Sequence, residues 1–196
     1  VVDFHPSIQD RTVGERLTRI PYLLICDIDN TLIAGESDND NLEQLIRLLE
    51  EKNRMIGFGV ASGRIIESAA AFLEKFHLPT PELIISSVGS EIYYGKNRFY
   101  DQGWDSHLGN KWNPEKIKSV LSRLDYLEYQ EEAVQRTFKI SYYMEPSRDR
   151  ISEIHHLLSG SKCKYSLIYS GDRYLDILPH RASKGKAVRY IAYKWG

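Results

Sequence analysis

The most chemically suggestive stretch of the chain is Leu23-Leu24-Ile25-Cys26-Asp27-Ile28-Asp29-Asn30-Thr31, an apolar run ending in two aspartates one residue apart. Carboxylates at the mouth of a buried strand are costly unless they bind a cation, enter a reaction or escape to water. Together, Asp27 and Asp29 suit phosphoryl transfer. One carboxylate can attack phosphorus and become an aspartyl-phosphate. The other can protonate the leaving oxygen and then activate water. A hard divalent cation, Mg²⁺ above all, would hold an anionic nucleophile beside an anionic phosphate. The competing reading is a pair of strand-end acids that face solvent.

Three further groups invite the same question. Ser62-Gly63 follows a second apolar strand and precedes a helix, so a hydroxyl, a glycine N–H and a helix N-terminus can converge on an oxyanion. A serine that only caps the helix would need no ligand. Lys184, between Ser183 and Gly185, opens the last helix, where the macrodipole disfavours a cation unless an anion sits beside it. A solvated lysine is the alternative. Finally, Lys139, Ser141, Asp176, Arg173 and Trp104 offer planar polar groups and an aromatic face for a polyhydroxylated substrate. A solvated sheet face with ordinary core aromatics would also account for them.

The elements that must position these residues follow from periodicity. Apolar strands are expected at 23–26, 55–61 and 83–86. Between them, Leu42, Leu45, Ile46 and Leu49 fall at helical spacing, with Asp38, Asn39 or Asp40 as N-cap, and so do Ile66, Ala69, Ala70, Leu73 and Phe76. Continuous apolar strands alternating with amphipathic helices predict an α/β, Rossmann-like parallel sheet covered on both faces. Ligands of such sheets bind beyond the carboxyl ends of the strands, which is where Asp27, Asp29 and Ser62 fall.

From about Ser90 the pattern changes. Phe138, Ile140, Tyr142 and Met144 alternate with Lys139, Ser141 and Tyr143. Two further strands are expected around the Ser170-Gly171-Asp172 turn, with helices carrying Ile117 to Leu124 and Ile151 to Leu158. This predicts an inserted α+β domain over 90–179, within a core of 21–89 and 180–196, after a polar linker over 1–20. The chain begins with Val1 on that linker and ends on a helix cap, which reads as a piece of something longer.

Composition bounds the partners. The chain has 196 residues, enough for one ordinary core or a core plus a small insertion. A net charge of -1 gives no electrostatic case for nucleic acid or an anionic membrane. No apolar run approaches a membrane span and no signal-peptide pattern opens the chain. Two cysteines, Cys26 in a buried strand and Cys163, favour a reducing cytoplasm over a structural disulfide.

Taken together, Asp27-Ile28-Asp29-Asn30-Thr31, Ser62 and Lys184 resemble the first three motifs of the haloacid dehalogenase superfamily of phosphohydrolases, in order and on the expected elements. The long stretch between the second and third leaves room for that family's type-C2 cap. From about Arg19 onward the chain is similar to the sucrose-phosphate phosphatases. That likeness is carried by Val88-Gly89-Ser90-Glu91-Ile92-Tyr93-Tyr94, Lys139-Ile140-Ser141-Tyr142-Tyr143, and Ser170-Gly171-Asp172 leading to Leu175-Asp176-Ile177-Leu178-Pro179 and Lys184-Gly185.

The resemblance implies Asp27 as nucleophile and Asp29 as acid/base. Mg²⁺ would sit on the Asp27 side chain and the Asp29 backbone carbonyl, with phosphate on Ser62, Gly63 and Lys184. It implies a sugar phosphate as substrate, sucrose 6-phosphate foremost, read by the cap. Such modules also occur behind the glycosyltransferase domains of sucrose-phosphate synthases, so a covalently linked glycosyltransferase is an expected partner. The family's fourth motif, an acidic loop after a fourth strand, should follow the Lys184 helix, and the chain stops at Gly196 before it. A core truncated before that strand, short of metal ligands and with an exposed strand edge, is therefore expected. Three functions follow: an active sucrose-phosphate phosphatase, a non-catalytic regulatory module of a synthase, or a phosphatase for another sugar phosphate.

Overall fold

The computed structural model describes residues 14–32 and 39–196. The chain divides into two compact units, Val1–Trp104 with Ser183–Gly196, and Asp105–Ala182.

In the first unit, strands β1 (Tyr22–Cys26), β2 (Ile56–Ala61) and β3 (Leu83–Ser86) run parallel. Helices α1 (Asn39–Glu51) and α2 (Ile66–Lys75) connect them. Phe58, Val60 and Ile84 project from one sheet face into a core with Leu42, Leu49, Ile66, Ala69, Phe72 and Leu73 of the two helices. The helical spacing of those residues is what lines them up on that core. Of the three N-cap candidates for α1, Asp38 lies outside the described residues.

The sheet continues with β4 (Glu91–Tyr94) and β5 (Phe99–Tyr100), both antiparallel, in the order β1-β2-β3-β4-β5. The expected parallel sheet is thus extended by an antiparallel pair, and one expectation is corrected: the insertion begins at Asp105 rather than Ser90. The reason is pairing: Leu83 stands opposite Tyr94 and Ser86 opposite Glu91, so 91–94 extends the core sheet. β1 forms one edge of the described sheet, with Tyr22 and Leu24 exposed.

Residues paired across strands share a face, so Tyr94 lies on the Leu83 face, opposite the α1/α2 core. Helix α6 (Lys184–Trp195) covers that face, with the Trp195 ring edge-on to Tyr94 at 5.8 Å. Part of the expected linker belongs to this unit too. Residues 14–17 form a helical turn. Gly14 lies against the Trp195 ring, where any Cβ would overlap it. Arg16 pairs with Glu82 at 2.6 Å. The linker's remaining residues, 1–13, lie outside the described residues.

The second unit holds a four-stranded antiparallel sheet in the order β6-β7-β9-β8. Its strands are β6 (Glu128–Tyr129), β7 (Ile140–Tyr143), β8 (Tyr165–Ser170) and β9 (Tyr174–Pro179). Helix α3 (Gln102–Leu108) crosses the boundary between the units. Helices α4 (Pro114–Leu121) and α5 (Arg148–Ser159) start at Asn113 and Ser147, whose side chains accept from Lys116 N and Arg150 N. Their residues Ile117, Leu121, Ile154 and Leu158 pack with Ile140, Tyr142, Leu175 and Ile177 of the sheet. Both cysteines are free thiols. No helix among the described residues is long and apolar enough to cross a membrane.

Candidate active site

The parallel register gathers the first unit's candidates at one end of the sheet. Cys26 stands opposite Val60, so Asp27 emerges level with the end of β2, and Ser62 follows one step beyond Ala61. Ile28, wholly buried in the core, pins the turn between the two aspartates. Asn30 follows with φ 57°, a left-handed conformation that asparagine tolerates better than most residues. The carboxylates are thus held by a core residue while facing outward.

Each aspartate meets its own cation. The Asp27 Oδ2 atom accepts from Lys184 Nζ at 2.6 Å, and its Oδ1 accepts from the Ile28 amide at 2.8 Å. The Asp29 Oδ1 atom accepts from Arg64 Nη2 at 2.7 Å and Nε at 3.1 Å, a forked arrangement typical of guanidinium and carboxylate. The Arg64 hydrogen bonds lower the Asp29 pKa below its ordinary value, helped by the charges of Arg64 and Lys184 and by the Ser62 hydroxyl, against partial burial. Asp29 is therefore held as a carboxylate.

Ser62 is wholly buried and is not the cap of α2, whose N-cap is Ile65 with no side-chain bond. Its amide donates to Ile85 O on β3 at 2.8 Å, and its Oγ accepts from the Arg64 amide at 3.1 Å. Gly63, between them, is exposed. Lys184 starts α6 behind Ser183, whose Oγ accepts from Lys186 N at 3.1 Å. Asp27, Asp29, Ser62, Gly63 and Lys184 thus meet in one place. A cavity of about 420 Å³ opens beside Asp29 and Arg64, walled by Phe72 and Phe76 of α2, with Arg64 stacked 5.0 Å from the Phe72 ring. Sequence reasoning missed Arg64. Its only signal was its place two residues after Ser62, and nothing local says that it reaches Asp29.

The second group divides. Lys139, Ser141 and Asp176 do come together in the second unit: Ser141 and Asp176 face each other across β7 and β9. The Ser141 hydroxyl donates to Asp176 Oδ1 at 2.6 Å, and Lys139 Nζ lies 2.7 Å from Ser141 Oγ and 3.5 Å from Asp176. This polar face is not solvated, since Lys139 and Ser141 are buried. Arg173 instead stacks on Tyr143, 4.5 Å from its ring. The expectation that Trp104 offers a face to a sugar is corrected. Trp104 belongs to the first unit, is wholly buried, stacks on Tyr190 and donates its indole N–H to Gly89 O.

Among the described residues, no group of three or more His, Cys, Asp or Glu assembles as a metal cage. The hard oxygens at the site are the Asp27 and Asp29 carboxylates and the nearby main-chain carbonyls.

The chain is 37% identical over 187 residues to the probable sucrose-phosphatase 2 of Arabidopsis thaliana, covering 92% of this chain and 44% of the relative. It is 30% identical over 170 residues to the mannosylfructose-phosphate phosphatase of Agrobacterium fabrum, covering 86% and 68%. It therefore spans less than half the length of the plant relative. The sucrose-phosphatase of Synechocystis sp. PCC6803, solved with sucrose and phosphate, superposes with a TM-score of 0.80 at 28% identity, covering 89% of this chain and 70% of that one. The family model for sucrose-6F-phosphate phosphohydrolase matches residues 20–196, and the chain belongs to that haloacid-dehalogenase-like phosphatase family.

Proposed function

We propose that this chain carries the phosphoryl-transfer site of a sugar-phosphate phosphatase, with sucrose 6-phosphate as its substrate. The observation that carries the reading is the convergence of Asp27, Asp29, Ser62 and Lys184 at the carboxyl ends of parallel strands. In the first step an Asp27 carboxylate oxygen attacks phosphorus. The bond from phosphorus to the sugar oxygen breaks, and that oxygen takes a proton from Asp29. In the second, water attacks the aspartyl-phosphate, gives its proton to the Asp29 carboxylate, and the bond from phosphorus to Asp27 breaks. Lys184, the Ser62 hydroxyl and the Gly63 amide hold the phosphoryl oxygens. Protonation of Asp29 for the first step requires Arg64 to release it, since the pair favours the carboxylate.

A metal fits this donor set in a minimal way. Mg²⁺ is commonly held by one or two carboxylates plus substrate phosphate and water. The Asp27 carboxylate and the Asp29 main-chain carbonyl would hold it. Bound there, it would neutralise the meeting of two anions.

Lys139, Ser141 and Asp176 form a compact set of donors and acceptors suited to sugar hydroxyls, and we assign them to recognition of the sugar. The likeness to a mannosylfructose-phosphate phosphatase supports a second reading, hydrolysis of another disaccharide phosphate. A covalently linked glycosyltransferase, as in a synthase, is part of the proposal, and failure of phosphate release would make the module a non-catalytic domain in that setting. The test is phosphate release by the full-length protein from a panel of sugar phosphates with Mg²⁺. Release greatest from sucrose 6-phosphate, and absent in Asp27→Asn, is the expected result. No release above the Asp27→Asn control would overturn the catalytic reading and favour a binding module.

A further inference from the structure

Between β3 and β4 lies a turn in which three consecutive residues are left-handed: Ser87 at φ 50°, Val88 at φ 63° and Gly89 at φ 92°. A β-branched residue in this region is a genuine outlier, and such strain persists only where the surroundings over-determine it. The surroundings here are the two segments assigned to phosphate. The Ser87 amide donates to Arg64 O at 2.7 Å and the Val88 amide to Ser62 O at 3.1 Å, so the turn grips the Ser62–Arg64 loop by its backbone. Gly89 presses on the start of α6. A Cβ there would overlap the carbonyl carbon of Ser183 and the amide nitrogen of Lys184.

The turn is held from beneath by Glu91, a buried carboxylate at the start of β4. Its Oε2 accepts from Ser87 Oγ at 2.8 Å and from Ser86 Oγ at 3.0 Å. Ser90 Oγ donates to Ser87 O at 2.9 Å, and the Trp104 indole N–H donates to Gly89 O at 3.1 Å.

We propose that Glu91 is a positioning residue for the phosphate site: through Ser87 it holds the left-handed turn 87–89, which sets both the Ser62–Arg64 loop and the start of the Lys184 helix. This rests on the phosphatase reading above. Glu91 touches no reacting atom. It acts by keeping two segments far apart in sequence at the separation one phosphate requires, and small misplacements of such groups are expensive for catalysis.

The test uses the full-length protein and four variants: Glu91→Leu, Glu91→Gln, Ser87→Ala and Gly89→Ala. Each is measured for thermal midpoint, for kcat/KM on the best sugar phosphate, and for the inhibition constant of inorganic phosphate. Ser87→Ala remains folded and weakens phosphate inhibition about tenfold, the effect of a lost or displaced hydrogen bond to a charged group, while Gly89→Ala, whose Cβ meets the main chain of Ser183 and Lys184, lowers the thermal midpoint and weakens phosphate inhibition at least as much. Their kcat/KM falls in parallel. Glu91→Gln, which keeps an acceptor oxygen, recovers most of what Glu91→Leu loses. Should Glu91→Leu or Gly89→Ala fail to fold, Ser87→Ala and Glu91→Gln carry the test. Variants that melt lower yet keep phosphate affinity and kcat/KM would make the turn merely structural and overturn the inference alone. A wild type that neither hydrolyses sugar phosphates nor is bound by phosphate would overturn the phosphatase reading, and this one with it.

Discussion

Arg64 and Lys184 each deliver a cation to one of the two aspartates, and the consequences differ. The Arg64 fork holds Asp29 ionised, so Asp29 as it stands is suited to accept a proton from water. Arg64→Ala removes the largest cause of the lowered pKa, and the Asp29 midpoint should rise toward the ordinary carboxylate value of about 3.9, read by carboxyl ¹³C NMR titration. The same shift has a sign for stability. A carboxyl whose pKa is lowered by folding contributes stability above the ordinary carboxylate range and loses it as pH falls through the folded value. The pair is half exposed, so this contribution is small. Lys184 sits 2.6 Å from Asp27, where it can follow charge onto the phosphoryl oxygens. Lys184→Ala should lower kcat/KM by about 10²–10³-fold, the usual effect of deleting a donor to developing charge, measured by phosphate release.

At the scale of elements, the helix that bears Lys184 is anchored at both ends. Ser183 caps its start. Near its other end, Asp101, whose side chain is wholly buried, accepts from Tyr190 Oη and Lys194 Nζ at 3.0 Å each, and from Tyr94 Oη at 2.6 Å. The Trp104 amide donates to the same carboxylate at 3.0 Å. Burial and this carboxylate together raise the Tyr94 pKa far above its ordinary value, so its hydroxyl remains a donor. Asp101→Ala would leave a buried ammonium without this partner and should cost about 3–5 kcal/mol, measured by urea denaturation. Ser87 and Val88 work against stability, at a cost of about 1–3 kcal/mol each for left-handed backbone. Their hydrogen bonds to the Ser62–Arg64 loop show what that conformation accomplishes.

At the scale of the whole molecule, each unit has its own apolar core, and neither core includes the site carboxylates. Chelation of divalent metal should therefore abolish phosphate release while leaving the thermal midpoint near its Mg²⁺-loaded value, checked by assay and melting of the same sample before and after EDTA treatment. The strands carrying Asp27 and Ser62 were legible because apolar runs of four to six residues end abruptly in polar ones, a local signal. Lys184 was legible because a cation at a helix start contradicts the macrodipole. The start of the insertion was misread because the composition changes at about Ser90, and only the pairing of β4 with Leu83 to Ser86 assigns it to the core. Trp104 was misread because composition cannot tell a buried indole from an exposed one. Sequence by itself thus determined which residue types stand at strand ends and helix starts, since those depend on neighbours within a few positions. Tertiary structure alone decided that Arg64 takes Asp29, that Asp101 locks α6, and that the turn 87–89 bridges two segments. Each of those joins residues brought together by strand register and helix packing, and Lys184 meets Asp27 across 157 positions of chain.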